Sequence, residues 1–495
     1  MPHELTIDLR TLQEQIEQHA CAYGLDFFEI IYEVLDWEEI NEVAAYGGYP
    51  ARYPHWRFGM EYIELSRSYA YGLSRIYEMV INNDPTYAYL LAANHLVDQK
   101  LVMAHVCGHG DFFKNNFSFA HTNRKMVDEM ANHAARIRRY MEAFGEEEVE
   151  KFLDRCLSLD NLIDYNAPHI RRSHYEPPRD EQEPPVEPRR LRAKEYMEEY
   201  INPEDVLAAE RQKLQEKQRR EERFPSHPQK DSVLFLLENA PLKNWERDVL
   251  GVVREEAYYF APQGRSKIMN EGWASYWHSK IMTERALDPS ELVDYADHHA
   301  GTMAPYPGRL NPYKLGLELW RDIEERWNKG RHGSDWEACD DFEARKNWDT
   351  REGRGRERMF EVRRHYNDVT FIDEFLTPDF VRKHGLFVYE YHPSTGQYVI
   401  SDRDFAAVKE KLLFGLTNFG QPWIEVVEAN HLNRGELVLS HRYEGVPLKL
   451  DLARETLENI HYVWKRPVHL ETHVDEEPVV LGFDGSSHTT EPRKE

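Results

Sequence analysis

Residues 176–190 (EPPRDEQEPPVEPRR) hold five prolines and a single apolar side chain, Val186. Such a stretch cannot close a hydrogen-bonded element or bury a core, so it reads as an extended linker. Behind it, residues 191–222 are dense in Glu, Arg, Lys and Gln and predict an exposed helix laced with charge pairs. Any core must therefore be assembled from the segments on either side. The flanks carry helical periodicity. Leu9, Leu12, Ile16 and Ala20 set the first stripe of a helical stretch spanning 8–40, and helices are predicted over 60–81, 86–109 and 122–166. A Gly- and Pro-rich loop interrupts them at residues 46–59.

Beyond the linker, helical patterns return through 231–366. After residue 367, segments such as WIEVVEANH and ELVLSHRYEG alternate apolar and polar residues at period two, with helices between them. The expected fold class is thus a mainly α N-terminal helical domain followed by a smaller α+β C-terminal domain. Its parts are residues 1–166 and 231–366 for the helical domain, 167–230 for the linker, 367–481 for the α+β domain, and 482–495 for a polar, mobile tail. With 495 residues, more than one hydrophobic core is expected.

Composition removes several function classes. A formal charge of −26 opposes general binding to nucleic acid or to an anionic lipid surface, so neither partner is expected. No apolar run is long enough to span a bilayer, and the start MPHELTIDLRTLQEQ lacks the basic and apolar regions of a secretory signal. Four cysteines lie far apart with no CxxC pair, which fits a reducing cytoplasm and leaves any metal to nitrogen and oxygen ligands.

Two segments carry chemistry. In MAHVCGHGDFFKNN (residues 103–116), His105 and His109 stand at i and i+4, so a helix places both imidazoles on one face. Two such nitrogens can bind one zinc-like ion. Gly108 lets another backbone approach the pair, and Asp111 follows near the helix end. Measured against H-E-x-x-H, the general-base glutamate is missing, because Val106 takes its place. In KIMNEGWASYWH (residues 267–278), Glu271, Ser275 and His278 share a helical face. The run Asn-Glu-Gly-x-Ala-Ser looks like the segment giving the third zinc ligand of gluzincin metallopeptidases, although here it comes 162 positions after His109. The same residues are compatible with a structural role: two histidines satisfied within a core, and a buried carboxylate paired with a neighbouring His or Arg. Further polar groups are Asp297, His298 and His299 with Tyr295, then His121, Asn123 and Arg124, and His55 in the aromatic loop. Solvation or backbone bonding is the simpler account of these.

The motifs YGGYPARYPHWRFG (46–59), AHVCGHGDFFKNN (104–116), MNEGWASYWH (269–278), NPYKLG (311–316) and NRGEL (433–437) resemble the stage V sporulation protein R (SpoVR) family. The resemblance spans nearly the whole chain. It implies a link to formation of the spore cortex or to a stress response. It also implies two partners, a PrkA-type serine kinase and a von Willebrand A-like protein. It supplies no ligand set or catalytic residue, so those come from the residues themselves. The expectation is a cytoplasmic metal-dependent hydrolase in which His105, His109 and Glu271 bind Zn²⁺ or another divalent metal. Asp111 or His278 would shuttle the proton of the activated water, and an amide would be the substrate. The alternative is a non-catalytic regulatory or scaffold protein working with the kinase and its neighbour.

Overall fold

The computed structural model describes residues 5–70, 78–170, 224–304 and 310–493, together with 197, 200, 202–209 and 211–212. Most of the proline-rich linker and the charged helix expected after it therefore lie outside the described residues. The chain divides into two compact units: residues 1–147 with 259–420, and residues 148–258 with 421–495.

The first unit is mainly helical. It opens with α1 (Ile7–Ala22), β1 (Ile30–Leu35), α2 (Trp37–Ala45), α3 (Trp56–Ala70), β2 (Glu78–Ile81), β3 (Thr86–Leu91), α4 (Leu96–Asn115) and α5 (Met126–Phe144). The three strands form a mixed sheet in the order β1-β3-β2, with β1 parallel and β2 antiparallel to β3. This sheet replaces parts of the helices expected over 8–40, 60–81 and 86–109. Its strands are four to six residues long. Such short apolar runs fit a helix as well as a strand, and only pairing separates the two. The capping box Asp36/Glu39 then starts α2 at once.

After residue 259 the unit continues with α6 (Lys267–Ile281), α7 (Leu292–Thr302), α8 (Pro312–Asn328), α9 (Gly355–His365), α10 (Asp368–Phe375) and α11 (Pro378–His384). A two-stranded hairpin, β4 (Val388–His392) and β5 (Gln397–Asp402), and the helix α12 (Phe405–Leu416) close it. The helices α4, α6 and α8 make the core. Helix α4 is buried on every side from Val102 to Phe113, and it carries His105, His109 and Asp111 into the interior. Close packing of the three depends on missing side chains. A Cβ on Gly108 would lie 2.6 Å from Cα of Ala274, and one on Gly272 would lie 2.3 Å from the carbonyl carbon of Gly316. Trp273, Trp277 and Trp320 fill the remaining space, fully buried. The N-terminus of α6 is capped from a distance: the Asp368 carboxylate accepts from the amides of Ile268 and Met269 at 2.8 and 2.9 Å. Burial pushes that carboxyl up to about 7.

The second unit contains the helices Glu146–Leu157 and Ser232–Asn239 and the strands β6 (Ile424–His431) and β7 (Glu436–His441). The helix α13 (Leu450–Trp464) and strands β8 (Val468–Val474), β9 (Glu477–Phe483) and β10 (His488–Pro492) complete it. The sheet order is β10-β9-β8-β7-β6, and only β7 and β8 run parallel. A parallel pair needs a crossover, and α13 supplies it. Its buried face (Ala453, Leu457, Ile460, Val463, Trp464) lies at helical spacing against β8 and β9. The α+β character expected of the C-terminal part is present. The expected change of rhythm at 367 instead falls within the first unit, because 368–416 is helical apart from one exposed hairpin. Residues 482–495, read as a tail, include the end of β9 and the paired edge strand β10. The polar sequence of β10 reflects its edge position, where only backbone bonds to one neighbour are needed.

Candidate metal centre

Helices α4 and α6 bring His105, His109 and Glu271 together. The Nε2 atoms of His105 and His109 lie 3.6 and 3.4 Å from the same carboxylate oxygen, Oε2 of Glu271. One ligand-type atom from each residue falls within 4.8 Å of the other two. The helix accounts for the histidine pair, whose ring centroids are 4.5 Å apart. Gly108 accounts for the third member, since any side chain there would hold the Glu271 helix off. Both histidines are buried, and Glu271 is half-buried.

The rings are oriented from behind. His109 Nδ1 lies 2.9 Å from Oδ1 of Asn270, and His105 Nδ1 lies 2.9 Å from Nδ1 of His278. His278 continues through Nε2 to His299 Nδ1 at 3.3 Å. If each Nδ1 of the pair carries its proton, as an Asn oxygen partner requires for His109, both Nε2 atoms present lone pairs toward Glu271. Oε2 of Glu271 is buried and has no hydrogen-bond partner among the described residues.

The electrostatics follow from this crowding. Burial opposes ionisation of Glu271, but the flanking imidazoles override it and hold the carboxyl well below its usual range. Burial and the neighbouring His109 lower His105. For His109 burial also lowers, but contact with Glu271 outweighs it and the net shift is upward. Burial drives His278 far down, helped by His105 and His299, so it is neutral.

Two cavities meet here. One, of about 150 Å³, is lined by His105, Ser275, His278, His298 and His299 among others. The other, about 510 Å³, lies on the His109 and Glu271 side and reaches Asn270, Lys267 and Gln263. Glu78 and Tyr313 line both. Burial lifts the Glu78 carboxyl to about 7, with His109 opposing and Glu271 adding to the rise. Burial also raises the Tyr313 hydroxyl, further lifted by Glu271 and Glu78, so it stays protonated.

The other expected residues are distributed differently. Asp111 is fully buried but does not join the three. Its carboxylate accepts from the Asp26 amide and from Trp273 Nε1, both at 2.8 Å, and pairs with Arg363 at 3.4 Å. Burial raises it to about 6. His278 stands behind His105, with both ring nitrogens engaged. His299 joins His278, and His298 pairs with Asp98. His55 packs on Trp56 and Phe58 in the aromatic loop, and Arg124 bonds the carbonyl of Phe113. Sequence reasoning did not single out Glu78, Asn270 or Tyr313. Asn270 and Tyr313 sit inside quoted motifs; Glu78 had no signal.

A family model described as "SpoVR like protein" matches residues 4–421, and one described as "SpoVR-like C-terminal domain" matches residues 422–475. A protein of Escherichia coli (strain K12) with the name "Uncharacterized protein YcgB" is 30% identical over 494 residues, covering 92% of this chain and 90% of its own length. No solved structure matches the chain. Among the described residues, no helix is long and apolar enough to cross a membrane.

Proposed function

The chain belongs to the SpoVR family, and from that premise we propose that it is a metal-dependent hydrolase whose ion is held by His105, His109 and Glu271. The observation that carries this reading is the spacing around Glu271 Oε2. A hydrogen bond from an imidazole to a carboxylate would close to about 2.8 Å. Ligands about 2.0 Å from a tetrahedral zinc stand about 3.3 Å from one another. The two contacts, at 3.4 and 3.6 Å, fit the second spacing. An Nε2 lone pair facing a carboxylate also needs a cation between them, or else a second proton on the ring.

Zn²⁺ or a similar divalent ion bound there would acidify a water and polarise a carbonyl. The protein's own residues supply the rest: Asn270 and His278 fix the ring orientations, and the two cavities border the cluster on either side. An amide in a peptide or cell-wall precursor is the substrate class proposed, within a cytoplasmic pathway of spore-cortex formation or stress response. The PrkA-type kinase and the von Willebrand A-like protein would act on or beside it. Elemental analysis of untagged protein tests the reading. About one equivalent of divalent metal is expected, falling in His105→Ala, His109→Ala and Glu271→Ala variants that keep the wild-type circular dichroism. Stoichiometric metal retained by all three variants refutes the ligand set. Metal-free wild type that still binds the kinase favours the regulatory alternative.

A further inference from the structure

Hydrolysis at such a centre needs a group to take the proton of the attacking water, and H-E-x-x-H provides it one residue after the first histidine. Here that position is Val106, completely buried in the core. Asp111 cannot serve, because its carboxylate is committed to Asp26, Trp273 and Arg363. His278 is held between His105 and His299 by both ring nitrogens. Asp98 is engaged by the His95 amide and by His298.

One carboxylate remains. Glu78 is the first residue of β2, and it lines both cavities where they meet at the His/His/Glu cluster. Among the described residues its side chain makes no hydrogen bond and no ion pair, and it is not within ion-pair distance of either histidine. The groups facing it are His105 and His109 from α4, Glu271 from α6 and Tyr313 from α8, with Lys267 on the rim of the larger cavity. A carboxylate that borders the cavities without a partner among the described residues can take a proton from what enters them.

Resting on the hydrolase reading above, we propose that Glu78 is the proton acceptor of this centre. As the water oxygen bonds to the amide carbon, its proton passes to the Glu78 carboxylate. When the C–N bond breaks, the Glu78 carboxyl gives that proton to the departing nitrogen. One water is consumed, a carboxylic acid and an amine are released, and Glu78 ends as it began.

The test uses full-length protein loaded with Co²⁺, whose visible spectrum reports its ligands, and two probes. Acetohydroxamic acid must shed a proton to bind a metal; azide need not. Glu78→Gln should keep one equivalent of Co²⁺ and bind azide as the wild type does, while its affinity for acetohydroxamate falls at least about tenfold. Glu78→Asp should restore part of that affinity. Thermal unfolding of both variants establishes that they fold. Unchanged acetohydroxamate affinity, or equal loss for both probes, overturns the assignment. Loss of Co²⁺ from folded Glu78→Gln also overturns it, making Glu78 a ligand. If wild type binds no Co²⁺, the metal reading itself has failed and Glu78 loses its role with it.

Discussion

Replacing Gly108 by alanine should separate the proposed metal ligands while leaving the fold standing. The new Cβ would meet the backbone of the neighbouring helix, 2.6 Å from Cα of Ala274 and 3.2 Å from its Cβ. Carbon atoms rest at about 3.5–4.0 Å, so α4 and α6 must part by about 1 Å at this point. Neither contact is the end of a flexible side chain, so neither can swing aside. His109 is adjacent to Gly108, and Glu271 lies one turn before Ala274. The separations of 3.4 and 3.6 Å would therefore open to about 4.5 Å, against a tolerance of about 0.2 Å for metal bonds. Overpacking costs about 1–3 kcal/mol, offset by about 1 kcal/mol from the better helix propensity of alanine. Stability should fall modestly, but metal affinity should fall about 10- to 100-fold, as when a group orienting a metal-binding histidine is removed. Competition against a chromophoric chelator measures the affinity, and urea unfolding of metal-free protein measures the stability. Gly59→Ala is the control, because its Cβ would meet nothing within 4 Å. If folded Gly108→Ala bound metal within about twofold of wild type, the idea that this glycine sets the ligand spacing would be wrong.

Two other outcomes are expected. Asn270→Ala removes the acceptor that fixes the His109 ring at 2.9 Å, so metal affinity should drop about 10- to 100-fold with unfolding little changed; equal affinity by the same chelator competition would show that Asn270 does not orient the ring. Asp368 is raised by burial to about 7, against 3.8 for the free side chain, so the folded chain holds this proton more tightly than the unfolded chain. Its contribution is full below about pH 4 and is lost as pH rises toward about 7, a swing of about 4 kcal/mol. Asp368→Asn should flatten the stability profile over that window, at a cost of about 1 kcal/mol for the weakened cap; a variant with the wild-type slope in urea unfolding from pH 4 to 7 would clear Asp368 of the effect.

The histidine pair was legible because the helix period alone joins i and i+4, and a glycine at i+3 announces a close neighbour. Glu271 was legible as a chemical residue on a helix, but its partners were not. Nothing local indicates that a segment 162 positions further on packs against the first; that follows from Gly108 meeting Ala274 and Gly272 meeting Gly316 across three helices. Asp111 shows the converse. Two residues from His109 it reads as part of the same site, yet it turns to another face, where Asp26, Trp273 and Arg363 claim it. The small sheet escaped notice because IIYEVL and TYAYLL are too short and too apolar to show a period of two. Glu78 escaped with it, since a glutamate at the end of an expected helix reads as solvated.

The burial of α4 explains why the motif is incomplete at Val106. Consecutive residues on a helix point about 100° apart, so a group beside His105 can reach the same ion only if that side of the helix borders the cleft. In this unit α4 is enclosed on every side, and position 106 faces the apolar core with no exposed surface. A glutamate there would be an unpaired charge in a dry interior, far more costly than valine. The edge strand β2 offers a different route, because its first residue opens onto both cavities without belonging to the helix. On the proposed reading, ligand and proton acceptor would thus be divided between a buried helix and a sheet edge. Enclosing α4 holds the histidine rings against Asn270 and His278, and for the proposed hydrolase the same enclosure would require the base to come from elsewhere.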